Sequence, residues 1–174
     1  MFFKRYFVLF LFICCSQKID EKFSLKDSVT VIFDAYGIPH IFAENKSDLF
    51  FVNGYITASQ RLFQMDIERR SALGTMSEIF GDSFYPQDRI QRFIAIKKVS
   101  QDTENAIKKV ALFDYVKAFV DGINAYIDDA IAGRNDAKLP EQYKIIGVVP
   151  ERWAPRDVMA VGKQRAFGFS FAPI

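Results

Sequence analysis

The sequence predicts an α+β fold: a mostly helical segment that opens with a small β-hairpin. A β-branched and aromatic run at 29–33, "VTVIF", is followed by the turn-forming "DAYGIPH" and a short apolar run at 41–43, which is typical of a hairpin. Apolar residues then recur at spacings of three and four over 49–72 and again over 102–132, the period of amphipathic helices. Half of the 174 residues are hydrophobic and 19 are Phe, which indicates one globular core with much aromatic packing.

The hairpin turn and the helix start each depend on particular residues. Gly37 can adopt a positive φ, and Pro39 biases the residue before it towards an extended conformation. Ser47 or Asp48 is predicted to cap the helix over 49–72, because short polar side chains satisfy the first free backbone N–H groups.

The helix over 49–72 has apolar residues on two adjacent faces, so we expect burial on more than one side. Gly54 inside it costs about 1 kcal/mol relative to Ala, and the close approach of another element is the predicted reason for it. The helix also contains Gln60, Arg61, Gln64, Asp66, Glu68, Arg69 and Arg70. Some of these polar side chains must be buried and paired, because an unpaired buried charge is too costly.

The later part of the chain is predicted to be helical with one irregular stretch. Glycine, proline and mixed charges predict a broken region over 74–101, followed by a helix over 102–132 that stops at Gly133. After the loop "GVVPERWAPRD", Pro155 and Asp157 begin a further helix, since proline suits the first helical position and a carboxylate the first turn.

Three regions are predicted along the chain: an export signal at 1–15, a polar tether at 16–28 and a domain at 29–174. The signal has two basic residues before an unbroken apolar run that is well short of the ~20 residues a membrane-spanning helix needs. Cys14 and Cys15 at its end fit a lipoprotein signal in which one of them is lipidated, and an ordinary secretion signal fits equally. We therefore expect a periplasmic or lipid-anchored protein that meets the membrane only through that anchor.

The charge balance argues against a nucleic-acid partner. The formal net charge is +2, and two of the basic residues, Lys4 and Arg5, lie in the predicted signal. Without them, 21 basic and 21 acidic residues remain, whereas nucleic-acid binding needs a basic excess on one face.

The residues by themselves supply no complete catalytic site and no metal site. His40 is the single histidine, so a Ser-His-Asp arrangement would need it, with Asp34 as its orienter and a serine from elsewhere. A structural hydrogen bond in a Gly-Pro turn is the commoner role for such a histidine. No second histidine offers metal-ligand spacing. Arg69 with Arg70 could bind an anion, although a charged end to a buried helix is the commoner interpretation.

The stretch from Val31 to Gly81 resembles the N-terminal part of the penicillin acylase (penicillin amidase) family. It contains, in order, "YGIPHIFA", "DLFFVNGY", "ASQRLFQM", a pair of arginines and "EIFG". Further on, "FVDGINAYID", "LPEQY" and "VPERWAPRDV" match other segments of the same family. The resemblance extends over about residues 29–170.

This resemblance implies an N-terminal nucleophile hydrolase, in which the segment would join an αββα sandwich. Family members are made as one precursor, and a serine at the start of the β chain attacks an amide carbonyl with its own α-amino group as base. The domain at 29–174 would then be an incomplete α chain without catalytic residues. Its partner would be the β chain of the same precursor or of a neighbouring reading frame. The implied reaction is hydrolysis of the C–N bond of a linear amide in a small N-acyl compound, such as an acylated β-lactam or an acyl-homoserine lactone.

The resemblance also suggests candidate site residues. In relatives, apolar side chains of the helix after the "W-x-P-x-D" motif cover the acyl group; these positions map to around Phe167 and Phe169, which are the predicted substrate-binding residues. Ordinary core packing is the alternative for both. The calcium-ligating acid of some relatives would fall at or after Ile174, so no metal residue is assigned and calcium belongs only to a complete enzyme.

Two other functions fit the same sequence. A non-catalytic envelope lipoprotein, or the remnant of a disrupted acylase gene, would have no β chain to join. A free-standing serine hydrolase that uses His40 would be labelled by an activity probe for serine hydrolases. As a separate product, the chain would expose helix faces meant for the β chain and should be only marginally stable.

Overall fold

The computed structural model describes residues 25–170 and the backbone of residues 16–18. The strands are β1 (Ser16–Lys18), β2 (Val29–Phe33) and β3 (Pro39–Ala43), and the helices are α1 (Lys46–Leu73), α2 (Ser77–Phe80), α3 (Tyr85–Ile94), α4 (Ile96–Ile107), α5 (Ala111–Ala132), α6 (Glu141–Ile146) and α7 (Pro155–Ser170), with a 3₁₀ turn at Asp82–Phe84. The predicted class, mostly helical with an N-terminal β-hairpin, is confirmed. In the part of the chain that is described, no helix is long and apolar enough to cross a bilayer.

The three strands form one antiparallel sheet with β2 in the centre. Val29 and Val31 of β2 point to the same face, as the two-residue period of a strand requires, and each is 1% exposed. They pack against Val52 and Ile56 of α1, which covers one face of the sheet. The strand β1 lies inside the predicted polar tether and was not predicted.

The hairpin turn is organised by Asp34, whose carboxylate accepts hydrogen bonds from the backbone N–H groups of Tyr36 and Ile38, each at 2.9 Å. The N–H of Gly37 donates to the Asp34 carbonyl at 3.0 Å, and Gly37 has φ +75°. The predicted glycine turn is therefore confirmed. The backbone N–H of Ile38 contributes most to the lowered pKa of Asp34, although burial opposes it.

The cap of α1 differs from the prediction. The helix begins at Lys46, and Asn45, in an extended conformation, accepts a hydrogen bond from the Asp48 N–H at 2.9 Å. Ser47 and Asp48 are already helical, so the prediction of either as cap was wrong. The Asp48 carboxylate instead accepts hydrogen bonds from the Lys26 and Asp27 N–H groups, each at 2.9 Å, which joins the strand entry to the helix.

The helices α1 and α5 touch backbone to backbone at two glycines, a contact that we call the glycine seam. A Cβ atom on Gly54 would overlap the Phe119 carbonyl oxygen, and one on Gly122 would overlap the Phe51 carbonyl oxygen. The predicted reason for Gly54 is thereby confirmed. Around the seam lies the largest core cluster, which includes Ala58, Leu62, Val120, Ile123, Tyr126 and Ile127.

The helix predicted over 102–132 is in fact divided between α4 and α5. Val110 is extended between them, with φ −97° and ψ 135°, so the two helices present their apolar residues to different neighbours. The region 74–101, predicted to be broken, is mostly helical, and Ala95 separates α3 from α4 with φ +63°. That left-handed backbone is costly for alanine, and nothing in the local sequence predicts it.

Candidate functional site

The C-terminal part of α1 contains a buried group of charges that we call the charged junction: Asp66, Arg69, Arg70 and their contacts with residues 151–157. Spacings of three and four put the three side chains on one helix face, and they are 1%, 4% and 5% exposed. Each Asp66 oxygen accepts from one arginine, Oδ1 from Arg69 Nη2 and Oδ2 from Arg70 Nε. The expectation that polar residues of this helix are buried and paired is confirmed.

The negative charge of Asp66 affects the groups around it. Burial acts to lower the pKa of Arg70, but the charges and hydrogen bonds of Asp66 and Glu151 together outweigh burial and the pKa is raised. Burial and the same charge raise the pKa of Tyr143. These surroundings therefore keep Arg70 charged and Tyr143 neutral across the physiological range.

Arg69 connects the junction to the segment before α7. Its Nη1 donates to the Glu151 and Arg152 carbonyl oxygens at 3.3 and 3.2 Å and lies 3.9 Å from an Asp157 carboxylate oxygen. Its guanidinium lies over the Trp153 ring, 4.9 Å from the centroid, a favourable cation–π geometry. One buried arginine thus holds both the loop and the first turn of α7.

Asn124 of α5 fixes the same loop from the other side. Its side chain donates to the Trp153 carbonyl at 2.9 Å and accepts from the Trp153 N–H at 2.7 Å. This two-way amide contact leaves little freedom for the backbone at Trp153, so the direction of α7 is set by α1 and α5 together.

Further along, α7 is tied to α1 by polar side chains. Gln164 Nε2 donates to Ser71 Oγ at 2.9 Å, and Arg165 Nη2 donates to Glu68 Oε1 at 2.6 Å. These two contacts hold α7 against the outside of α1.

An open groove of about 260 Å³ lies between α1, α5 and α7, and we call it the apolar groove. It is lined by Thr57, Arg61, Gln64, Met65, Glu68, Phe119, Trp153, Val158 and Val161. Apolar side chains from three helices form its walls, and polar side chains of α1 form its rim. Such a surface can accept an apolar group of a ligand or of another chain.

The helix α1 bends where it borders this groove. Arg61 has the non-helical angles φ −140° and ψ 19°. In the preceding turn, Thr57 and Ser59 donate hydrogen bonds to the backbone carbonyls of Asn53 and Ile56, each at 2.7 Å. Hydrogen bonds from a side-chain hydroxyl to a carbonyl in the preceding turn favour bending of helices. The Arg61 side chain is exposed at the rim of the groove.

The predicted substrate-binding residues, Phe167 and Phe169, both lie on α7 and are 41% and 74% exposed. Neither belongs to the described lining of the apolar groove, so their role stays a prediction. The predicted lipidation residues, Cys14 and Cys15, lie outside the described residues.

His40 lies on β3, and its Nε2 is 3.4 Å from Asp34 Oδ2. The structure thus brings together two of the three residues that a triad would need. However, Ser59 donates its hydroxyl to a carbonyl of its own helix, and half of the His40 side chain is exposed. The geometry favours the structural interpretation of His40.

Within residues 25–170, no group of three acidic, histidine or cysteine side chains could hold a metal ion. The described residues therefore give no ligand set for the calcium of a complete enzyme, and that calcium stays a prediction.

A β-hairpin packed on a long helix, a second helix paired with it at two glycines and a charged junction that fixes a third helix together define a mostly helical scaffold. The family model for penicillin amidase matches residues 28–173. The chain therefore belongs to the penicillin amidase family.

Individual relatives agree with this assignment. Penicillin G acylase of Escherichia coli is 33% identical over 133 residues, which are 76% of this chain and 16% of that protein. An acyl-homoserine lactone acylase (QuiP) of Pseudomonas fluorescens is 32% identical over 133 residues, 76% of this chain and 16% of that protein. The solved structure of a thermostable penicillin G acylase from Alcaligenes faecalis has a TM-score of 0.73 at 32% identity and covers 84% of this chain and 76% of that chain. The chain thus spans about a sixth of the full length of the Escherichia coli and Pseudomonas fluorescens relatives.

Sequence reasoning missed two parts of the site. The apolar groove combines residues from α1, α5 and α7, so no single stretch of sequence contains its pattern. Asn124 was also missed, because an asparagine inside an apolar helix shows only that it needs a partner, and the partner is the distant Trp153.

Proposed function

We propose that this chain is the α-chain portion of an exported acylase that hydrolyses the amide bond of small N-acyl compounds. The β chain would supply the nucleophilic serine and its α-amino base. Penicillins and acyl-homoserine lactones are the candidate substrates, because the relatives bear the names of acylases for both.

The observation that carries the proposal is the fold match to a penicillin G acylase chain, of which this chain covers 76%. Residues distributed over the whole segment maintain that fold here: the glycine seam, the Asp66 ion pairs and the Asn124–Trp153 contact. Their roles are structural, which agrees with a chain that positions a site and does not itself attack the substrate.

The apolar groove and the exposed phenylalanines of α7 support a surface that is completed by another chain. Five apolar side chains line the groove, and Phe169 is 74% exposed. Exposed apolar surface of this kind marks binding sites for ligands or protein partners. In the proposed enzyme, the β chain covers part of this surface and the acyl group of the substrate meets the end of α7.

The direct test is reconstitution with a β chain. The DNA beyond codon 174 is sequenced, any β-chain-like reading frame is co-expressed with this chain, and hydrolysis of chromogenic N-acyl amides of graded acyl length is measured. We expect hydrolysis only when both chains are present and the first residue of the β chain is serine. A bound β chain without hydrolysis would contradict the proposed enzyme and favour a non-catalytic envelope protein.

The role of Phe169 has its own test in the reconstituted enzyme. We expect Phe169→Ala to change KM or kcat/KM selectively for one acyl length, because a shortened side chain changes the shape of an acyl pocket. Phe93→Ala on α3 is the matched control, since Phe93 is 90% exposed and far along the chain from α7. Equal effects of the two substitutions would rule out Phe169 as a substrate-binding residue.

Export and lipidation are part of the same proposal and rest on the first fifteen residues. Metabolic labelling with a lipid precursor in cells that express the full chain distinguishes the two forms. Incorporation that is lost in a variant with serine at both Cys14 and Cys15 would show a lipid anchor, and secretion without incorporation would show an ordinary export signal.

A further inference from the structure

A second cavity, of about 310 Å³, lies between the end of α1, the helix α4 and the start of α7, and we call it the basic cavity. Five cationic side chains and three carboxylates line it: Arg69, Arg70, Lys97, Arg152 and Arg156, with Glu78, Glu151 and Asp157. One water molecule needs only about 10–15 Å³ of such space, so the cavity has room for a small solute.

A buried hydroxyl lines this cavity without a partner. Ser100 of α4 is 1% exposed, and among the described residues its Oγ has no hydrogen-bond partner. Thr103 on the same helix behaves differently, because its hydroxyl donates to the Val99 carbonyl at 2.8 Å. Since buried hydroxyls are normally hydrogen-bonded, the Ser100 hydroxyl indicates an acceptor that enters the cavity from outside.

One cation beside this hydroxyl has no fixed partner in the described structure. Lys97 lies three residues before Ser100 and is therefore on the same side of α4. Among the ion pairs of residues 25–170, none involves Lys97, whereas Arg152 pairs with Asp128 and Arg156 lies 3.9 Å from Glu104. A free ammonium group and a free hydroxyl thus flank the same space.

Arg70 can present a second, bidentate contact. Asp66 holds its Nε, and its terminal nitrogens lie 3.3 Å from Glu151 and 3.6 Å from Glu78. The side chains of those two glutamates are 70% and 54% exposed, so burial does not hold either carboxylate in place. Both carboxylates can turn into solvent and leave the guanidinium fork to an anion.

Asp157, the remaining carboxylate, is already occupied. Its Oδ2 accepts from the Ala154 N–H at 2.8 Å and lies 3.9 Å from Arg69 Nη1. Its Oδ2 therefore belongs to the charged junction, and among the described residues Asp157 forms no ion pair with Lys97 or Arg70.

We propose that the basic cavity binds a small tetrahedral oxyanion of the phosphate or sulfate class. The hydroxyl of Ser100 and the ammonium of Lys97 supply donors from α4, and the terminal nitrogens of Arg70 supply donors from α1, which suits an anion with several acceptor oxygens. This site is distinct from the apolar groove, and its existence does not depend on the proposed acylase activity.

The test is calorimetric titration of the full chain with inorganic phosphate at constant ionic strength, with chloride as the reference anion. We expect a single saturable site. Ser100→Ala and Lys97→Gln should each weaken phosphate binding by about tenfold or more, as expected for loss of a hydrogen bond to a charged group. Lys108→Gln is the matched control, because Lys108 lies just beyond α4 and outside the described cavity lining.

Several outcomes would overturn the proposal. They are the absence of saturable heat, an equal loss of binding in Lys108→Gln, and acetate binding as tight as phosphate, which would contradict the tetrahedral assignment. Far-UV circular dichroism checks that each variant is folded. If Ser100→Ala does not fold, Ser100→Thr, which keeps the hydroxyl, should retain binding while Lys97→Gln loses it.

Discussion

The glycine seam and the charged junction both hold helices against α1, but they do so by different physics. At the seam, Gly54 and Gly122 let the backbones of α1 and α5 meet, and dispersion and apolar burial supply the stability. At the junction, Asp66 pairs with two buried arginines, and Arg69 reaches the carbonyls before α7. The seam fixes how closely two helices approach, whereas the junction fixes the direction in which α7 leaves.

This difference separates stability from positioning. Apolar packing depends on the volume and shape of the side chains and has no preferred direction. Many apolar side chains could therefore replace one another near the seam. Hydrogen bonds and ion pairs are directional, so each contact at the junction limits the orientation of the loop around Trp153. The charged junction therefore determines the direction of α7, the helix that contains Phe167 and Phe169.

The single tryptophan makes the two regions experimentally distinguishable. Trp153 is the only tryptophan in the sequence, it is 7% exposed, and it lies under the Arg69 guanidinium. Its fluorescence reports the native junction directly, while far-UV circular dichroism reports unfolding of the helices as a whole.

The largest expected effect is at the junction. Asp66→Asn should destabilise the chain by about 3–5 kcal/mol, because two buried guanidinium groups lose their anionic partner. We expect an altered Trp153 emission spectrum in the native state and a lower urea midpoint. Glu68→Gln on the same helix is the control, since its side chain is 32% exposed, and a comparable loss there would contradict the central role of Asp66.

The next effect should occur at the seam. Gly122→Ala is expected to cost about 3 kcal/mol, because the added Cβ meets the Phe51 backbone, which cannot move without separating α1 from α5. Urea unfolding should show the loss, while Trp153 emission of the native state stays unchanged. Gly162→Ala on α7 should be neutral or stabilising, because nothing lies within 4 Å of its added Cβ and alanine favours helix.

A smaller, pH-dependent effect is expected at the end of the seam. Asp129 of α5 accepts hydrogen bonds from Tyr55, Arg134 and Asn135 at 3.2, 2.9 and 2.6 Å. Burial acts to raise its pKa, but these hydrogen bonds outweigh burial and the pKa is lowered from 3.8. The stabilisation is therefore complete above about pH 4 and is lost as the pH falls through the folded-state pKa.

Asp129→Asn tests this prediction. The variant should be less stable than the parent chain by about 1–2 kcal/mol at pH 5–7, and the difference should shrink below the unfolded-state pKa of 3.8. Urea midpoints measured from pH 2.5 to 7 give the comparison. A difference that is constant over that range would show that the carboxylate charge is not the cause.

The smallest effect is expected outside both regions. Lys117 and Asp121 form an exposed i,i+4 pair on α5, with side chains 60% and 47% exposed. Lys117→Gln should change the free energy of unfolding by only about 0.3–0.5 kcal/mol, and less at high salt. A loss above about 1 kcal/mol in urea unfolding would show that the solvent face of α5 also contributes to packing.

The sequence predicted α1 and α5 better than the region between them. Two apolar rows and Gly54 indicated a long helix buried on two sides, and the structure has both features. The predicted helix boundaries were less accurate. Asn45 rather than Ser47 or Asp48 caps α1, and Val110 interrupts the predicted helix over 102–132. Local propensity differs little between neighbouring polar residues, so the tertiary contacts of Asp48 with the strand entry decide the cap.

The sequence by itself determined the fold class, the glycine requirement at the close helix contact and the need to pair the charges at the end of α1. These follow from the spacing of apolar residues, from backbone sterics and from the cost of burying charge, all of which act within one helix or strand. Only the tertiary structure decided which partners met: Gly122 opposite α1, Trp153 between Arg69 and Asn124, and Ser100 of α4 with Arg70 of α1 at the basic cavity. Such contacts join residues far apart in the chain, and their geometry exists only once the helices have packed.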